Sequence, residues 1–495
     1  MSRITIHADR AYSIGQVDER VFSSFVEHMG RTVYEGVYEP DHPTANEQGF
    51  RQDVIDLVKP LAAPLMRYPG GNFLSGFDWK DSIGPKKDRP VRLDLAWLTT
   101  ETNQFGMDEF VDWCKLADTK MMGAVNLGTG TPKDAAEIVE YCNHPGGTYW
   151  SELRKKNGHE QPHDIKVWCL GNEMSGPWQI CHMSPEDYGK KAREAAKMMK
   201  WVDPSLELVT CGSAGSELES YPRWDRVVLE ETYEYVDFIS VHKYYRVGRL
   251  EDRELLASFV DLDHFFSQVE AVCDYVKAVK RSDKTMMLSF DEWNVAGGPG
   301  VYHPRGKELW EPAPHLGEMW YTVSNAVAFA GMAMTILNHA DRVKMACLAQ
   351  MVNVIAPIMT KKGGPAIRQT IYYPYLLLSQ YGRGEAIRAV VDAPMHETKF
   401  GDAPQVYTSL IWNEEKRQLT VFAINIDEQQ DAQAEVELVG FDGLKLQKHI
   451  VYTGEKDAVN SFEAGEQVHP AEMPVVDGNE VVLPKLSFNV LVYQK

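Results

Sequence analysis

The 495-residue sequence predicts a (β/α)₈ TIM barrel followed by a C-terminal antiparallel β-sandwich. Three observations carry that reading. Eight short apolar runs recur in the first three quarters of the chain, with amphipathic segments of helical period between them. Most of those runs are near-continuously apolar, as expected of parallel strands buried on both faces. After about Gly384 the pattern changes to period-two alternation broken by turn residues, which marks antiparallel sheet.

The first 18 residues hold a strand-like Ile4-Thr5-Ile6 ahead of the barrel, expected to pair with the C-terminal module. The barrel runs are Val21–Val26, Pro64–Arg67, Met121–Leu127, Ile165–Leu170, Leu206–Cys211, Val236–Val241, Thr285–Phe290 and Lys344–Ala349. Helical period marks Asp108–Ala117, Lys133–Cys142, Pro185–Lys200 and Leu262–Lys280. Eight βα units without antiparallel hairpins fit a closed barrel, and a doubly wound sheet is the alternative on periodicity alone. Ala326–Leu337 is the longest apolar stretch; at 12 residues it is too short to span a bilayer and is expected to be a buried helix. Gln418–Ile426, Ala434–Val439 and Leu486–Tyr493 alternate with period two, with turns such as Asp477-Gly478-Asn479 between runs. The expected domains are 19–383, the barrel, and 384–495, the sandwich.

Hydrophobic residues make up 44% and charged residues 25%, a globular composition that excludes extended disorder. The net charge of −20 argues against nucleic-acid and acidic-membrane partners, which need a basic face. Half of that charge lies after residue 384, where 19 acidic residues stand against 9 basic ones; this reads as a solvated surface. The N-terminus shows no apolar core of a secretory signal. The seven cysteines are widely and irregularly spaced. Reduced, buried thiols in a cytoplasmic protein are therefore expected.

Cofactor motifs fail one by one. Gly128-Thr129-Gly130 follows a strand and precedes a helix, but Lys133 occupies the third glycine position of a dinucleotide loop. There is no GxxxxGK[ST], GxSxG or HExxH, and His28, His242, His303 and His315 show no ligand spacing. The expectation is chemistry without cofactor or metal.

Two segments stand out. The fourth strand ends in Trp168-Cys169-Leu170-Gly171-Asn172-Glu173 and the seventh in Phe290-Asp291-Glu292-Trp293-Asn294. Barrel strand C-termini point at the active-site face, so Glu173 and Glu292 are expected to oppose each other across its mouth. Glycoside hydrolysis needs such a pair, one carboxyl protonated to serve the leaving oxygen and one ionised to attack the anomeric carbon.

With these motifs the chain resembles the α-L-arabinofuranosidases of glycoside hydrolase family 51. The segments that carry the likeness are 25–40 (FVEHMGRTVYEGVYEP), 66–85 (MRYPGGNFLSGFDWKDSIGP), 168–179 (WCLGNEMSGPWQ), 240–245 (SVHKYY) and 289–295 (SFDEWNV). The resemblance implies that Glu173 is the acid/base and Glu292 the nucleophile of a retaining exo-enzyme. It implies that Asn172 binds the sugar 2-OH and that Glu27, Asn72 and Gln350 hold furanose hydroxyls. It places Arg67 and Tyr244 around the nucleophile, and Trp97 and Trp178 near the pocket mouth. Terminal arabinofuranosyl residues of oligosaccharides are the implied substrate, and a homo-oligomer, commonly a hexamer, the implied assembly.

Elementary chemistry adds two expectations. Arg67 beside Glu292 would keep that carboxyl ionised and its pKa low. Gly70-Gly71 would let the backbone pass close to the ligand. The resemblance implies in addition that the long segment 296–317 helps to shape the pocket. Glu35 stands where many relatives have Gly, and Ser175 where many have Asp, which puts leaving-group preference in doubt. Two other readings stay open: another glycosidase of the clan, such as an endoglucanase or xylosidase, and a non-catalytic carbohydrate-binding protein.

Overall fold

A computed structural model describes residues 1–297, 308–475 and 480–495. Its centre is a closed barrel of eight parallel strands. We number them β1 (Ser23–Phe25), β2 (Leu65–Tyr68), β3 (Lys120–Val125), β4 (Val167–Leu170), β5 (Glu207–Cys211), β6 (Phe238–Arg246), β7 (Met287–Ala296) and β8 (Val343–Leu348). Each falls on one of the eight apolar runs. β1 is shorter than its run because Asp18 caps a 3₁₀ turn, Glu19–Phe22, that takes up the run's first residues.

Alternate side chains fill the barrel interior, among them Leu65, Met122, Ala124, Val167, Cys169, Val209, Phe238, Met345 and Cys347. The intervening residues face the surrounding helices, so both faces of each strand are buried and the runs read as continuously apolar. The helices begin at local signals. Thr131 accepts the Asp134 N–H with Pro132 opening the helix, and Ser184 does the same for Asp187 with Pro185. Helix Val323–Asn338 contains the 12-residue apolar stretch, and every residue from 323 to 337 is buried. It lies between the barrel and the C-terminal sheet, so no face is left for water. At Gly331 a Cβ would come within 2.9 Å of Ile424 on the sheet, which explains a glycine in mid-helix.

The C-terminal module is one nine-stranded sheet, antiparallel except for one pair. The alternating runs are its strands Gln418–Asn425, Ala432–Val439 and Ser487–Gln494. The sheet rolls so that its ends share one apolar interior, and Asn425 Nδ2 bonds Leu483 O of the far edge strand at 3.2 Å. The N-terminal strand Ser2–Gln16 pairs antiparallel with Glu385–Asp392 and parallel with Ala432–Val439.

The expectation of a barrel half without hairpins needs correction. Arg92–Asp94 pairs antiparallel with Thr99–Glu101, and Ile358–Thr360 with Ala366–Arg368. Both lie in loops that follow barrel strands, where three-residue strands leave too short an alternation to read. Among the described residues no helix is long and apolar enough to cross a membrane. All seven cysteines are free, and all but Cys181 are buried. The turn Asp477-Gly478-Asn479, His303 and residues 298–307 of the predicted pocket-shaping segment 296–317 lie outside the described residues.

Candidate active site

The barrel's apolar interior gives way to charge at the C-terminal ends of the strands. Inward positions that hold Leu65, Cys169 and Phe238 lower down hold Arg67, Glu173, Ser240 and His242 above. On β7 the register against both neighbouring strands shifts between Ser289 and Trp293. That irregularity lets two consecutive residues, Asp291 and Glu292, turn inward while Phe290 and Trp293 pack outward against the helices. On β4 the chain leaves the strand through Gly171 at φ 94° and Glu173 at φ 44°, left-handed conformations that turn Glu173 into the mouth.

Glu173 and Glu292 face each other. One oxygen from each carboxylate and one ring nitrogen of His242 all lie within 4.8 Å of one another. Glu292 Oε1 accepts from Arg67 Nη1 at 2.8 Å and Oε2 from the Tyr244 hydroxyl at 2.9 Å. Glu173 Oε2 accepts from Trp178 Nε1 at 2.6 Å, and Oε1 lies 3.0 Å from His242 Nδ1. Asn172 is buried beneath them and receives Arg67 Nη2 on its Oδ1 at 2.7 Å.

The opposite wall is built around Glu27, at the end of β1. Its Oε1 accepts from Phe73 N at 3.0 Å and Trp97 Nε1 at 2.8 Å, and Gln350 Nε2 approaches Oε2 at 3.3 Å. Gln350 Oε1 returns the contact to the Glu27 backbone N–H at 2.9 Å. The Arg92–Glu101 hairpin carries Trp97 in its turn. There Asp94 accepts from Ala96 N at 2.9 Å, Trp97 N at 3.2 Å and Thr99 Oγ1 at 3.2 Å. These groups enclose a pocket of about 290 Å³. Eight of the ten sequence-predicted residues line it: Glu27, Asn72, Trp97, Glu173, Trp178, Tyr244, Glu292 and Gln350. The other two, Arg67 and Asn172, support it from below.

Electrostatics corrects one expectation. Burial pushes the Glu292 carboxyl above the usual range, and the Glu173 charge adds to this. His242 and Arg67 oppose the shift, so Arg67 acts in the expected direction but does not win. Burial, then the charge of Glu292, pushes Glu27 up to about 8. Burial disfavours a charged His242, yet Glu292, Asp291 and Glu173 outweigh it and hold the imidazolium to about 10.

Among the described residues, Glu173, His242 and Glu292 form the one group of three close enough to surround a cation. The protein supplies the positive charge there itself, through Arg67 at 2.8 Å from Glu292 and the protonated His242.

Gly71 has a different role from the one expected. A Cβ there would lie 2.1 Å from Glu27 Oε2, and one on Gly70 would lie 1.6 Å from the Phe25 ring. The space is taken by protein groups that build the pocket. Gly71→Ala should therefore displace the Glu27 carboxylate, lowering kcat/KM by roughly tenfold or more. Steady-state kinetics beside a thermal melt will check this, and an unchanged KM and kcat would contradict it. Glu35 sits at φ 63°, the backbone conformation that glycine adopts without strain. Ser175 lies off the pocket lining and accepts the Ala214 N–H at 3.1 Å through Oγ.

The sequence reading missed His242, Asp291, Ser240 and Asp94. His242 stood in the quoted SVHKYY segment, and its position two residues before Tyr244 on one strand, hence on the same face, was the available signal.

Residues 57–264 match the model of the α-L-arabinofuranosidase 1 domain, and residues 291–487 that of the α-L-arabinofuranosidase C-terminal domain. The chain is 52% identical over 456 residues to intracellular exo-α-(1→5)-L-arabinofuranosidase 1 of Bacillus subtilis, covering 91% of this chain and 90% of that one. It is 48% identical to the intracellular exo-α-(1→5)-L-arabinofuranosidase of Halalkalibacterium halodurans, covering 98% of each. Among solved structures, a family 51 α-L-arabinofuranosidase from Bifidobacterium longum superposes with a TM-score of 0.95 at 40% identity, covering the whole of both chains.

Proposed function

The chain belongs to the α-L-arabinofuranosidases of glycoside hydrolase family 51, and from that premise we propose that it releases terminal non-reducing α-L-arabinofuranosyl residues from arabino-oligosaccharides with net retention. The observation that carries the stereochemistry is the approach of one oxygen from Glu173 and one from Glu292 to within 4.8 Å. Retaining glycosidases hold their carboxyl groups about 5–5.5 Å apart, whereas inverting ones leave room for a water between them.

In this reading Glu292 attacks the anomeric carbon while Glu173 gives its proton to the departing oxygen. Arg67 and Tyr244, one on each oxygen of Glu292, aim the nucleophile. Trp178 and His242 hold Glu173. A water deprotonated by Glu173 then releases the sugar from the glycosyl-enzyme. Glu27, Asn72 and Gln350 read the furanose hydroxyls; a sugar that leaves them unpaired in the pocket is rejected. A pocket of about 290 Å³ with Trp97 held on its wall by Glu27 supports exo-action on a single terminal sugar, which favours this reading over an endo-cleft.

A nitrophenyl glycoside panel followed by proton NMR tests the reading. Hydrolysis should be confined to the α-L-arabinofuranoside, and the first-formed arabinose should keep the α configuration. An inverted first product, or preference for a xyloside or glucoside, would overturn it. The relatives are named intracellular, which supports a cytoplasmic site of action. Family membership supports a homo-oligomer, with a hexamer as the proposed state.

A further inference from the structure

Below the two carboxylates lies a third, Asp291, which lines no wall of the pocket and is wholly buried. Its Oδ1 accepts the Ser240 hydroxyl and lies 3.2 Å from His242 Nε2. Its Oδ2 accepts from the Cys169 thiol at 3.2 Å, with Arg67 Nε at 3.7 Å. The far side of the His242 ring faces the reaction. Nδ1 is 3.0 Å from Glu173 Oε1 and 3.6 Å from Glu292 Oε2.

These contacts decide the ring's protonation. A carboxylate can only accept. The Ser240 hydroxyl gives its one proton to Asp291, so its oxygen, 3.1 Å from Nε2, also accepts. Nε2 therefore carries a hydrogen. Nδ1 is then the ring atom that gains or loses a proton, and it stands between the two catalytic carboxylates.

The geometry points to Asp291 as a positioning residue: with Ser240 it holds the Nε2 end of His242, so that Nδ1 governs how negative charge is shared between Glu173 and Glu292. This rests on the roles assigned to those two glutamates above. It goes further by naming what sets their electrostatics from outside the pocket. When Glu173 delivers its proton, the carboxylate it becomes already has Nδ1 at 3.0 Å. While Glu292 waits as an anion, His242 exerts the largest charge effect upon it.

The other titratable groups around His242 and the two glutamates are Glu27 at the end of β1, Arg67 on β2, Cys169 on β4, Cys211 on β5, Tyr244 on β6 and Cys347 on β8. Burial pushes all three thiols up, so they stay protonated and uncharged. Burial pushes Asp291 up as well, but Arg67 and His242 reverse this and hold it at about 2, an anion throughout the working range.

Asp291→Asn and Ser240→Ala test the inference, read as kcat/KM against pH on a nitrophenyl arabinofuranoside. Loss of the Asp291 charge takes away what keeps His242 cationic. A neutral ring no longer offsets the Glu292 anion, so Glu292 holds its proton to higher pH and the acidic limb moves upward. Asp291→Asn should lower kcat/KM on the order of 10²-fold, less than the roughly 10⁴-fold that follows when the carboxylate behind a histidine base is neutralised, because His242 here does not itself carry the proton to or from the substrate. Ser240→Ala should move the limb the same way, with a loss of roughly tenfold or less. A merely structural role would lower the amount of active enzyme and leave the limbs in place. Wild-type limbs in both variants would overturn the proposal, and Ser240→Ala decides alone if Asp291→Asn does not fold. Trapping and azide rescue in the glutamate variants do not depend on limb positions, so failure here leaves those assignments standing.

Discussion

Glu292→Ala should abolish turnover on every arabinofuranoside, with a loss of roughly 10⁴-fold or more. The side chain is buried at the pocket floor, with Oε1 on Arg67 and Oε2 on Tyr244. Both donors stiffen the carboxylate in one orientation, and truncation removes the attacking atom without opening another route to a glycosyl-enzyme. Glu173 stands on the other side of the scissile bond and cannot take over the attack. Added azide should enter the space left by the side chain and attack from the same face, partly restoring turnover and giving an inverted glycosyl azide. Measured kcat with and without azide, and NMR of the product, check both halves. Near-wild-type hydrolysis by this variant would remove Glu292 from the mechanism.

Glu173→Ala should show a loss that depends on the leaving group. A sugar leaves as a poor alkoxide and needs the proton, so hydrolysis of arabino-oligosaccharides should fall roughly 10³-fold, within the usual reach of general acid catalysis. A dinitrophenolate leaves unaided, so glycosylation by that substrate should be spared far more. Loss of the base then slows the second step, and the glycosyl-enzyme on Glu292 should accumulate to levels that mass spectrometry detects. The pH profile gives a second readout. A general acid acts only while it is protonated, so the basic limb of the profile belongs to the acid. With the side chain gone, the basic limb should vanish. Equal slowing of both substrates with an intact basic limb would assign the acid/base role to another residue.

Much of this site is written in short stretches of sequence. The apolar runs give eight strands because a strand covered on both faces needs apolar residues at every position. The place of Glu173 and Glu292 follows from topology alone, since the residues that end parallel barrel strands gather at one face. Fourth and seventh strands stand far enough round the barrel for their ends to oppose. Arg67 and Tyr244 are legible only through the resemblance to family 51.

Other features were silent because they depend on what the chain meets after it folds. The three-residue strands around Trp97 are too short for alternation to register, and Asp94 makes their turn through hydrogen bonds that composition does not announce. Gly71 reads as freedom for a ligand, but its missing Cβ makes room for Glu27, far away along the chain. Strict alternation would place Asp291 and Glu292 on opposite faces of β7, and only the register shift against β6 and β8 turns both inward. The pKa of Glu292 was misjudged for a related reason: its partner Arg67 is visible as a residue type, but the depth of burial that outweighs the partner is not.

The sequence by itself determined the barrel, the sheet that follows it and the two opposed glutamates, because periodicity and strand-end position are local properties of the chain. Only the tertiary structure decided which way His242 presents its nitrogens, what the glycines make room for and how far burial shifts each carboxyl. Those depend on contacts between strands distant in sequence and on the loss of water around them, and neither is encoded in any single segment.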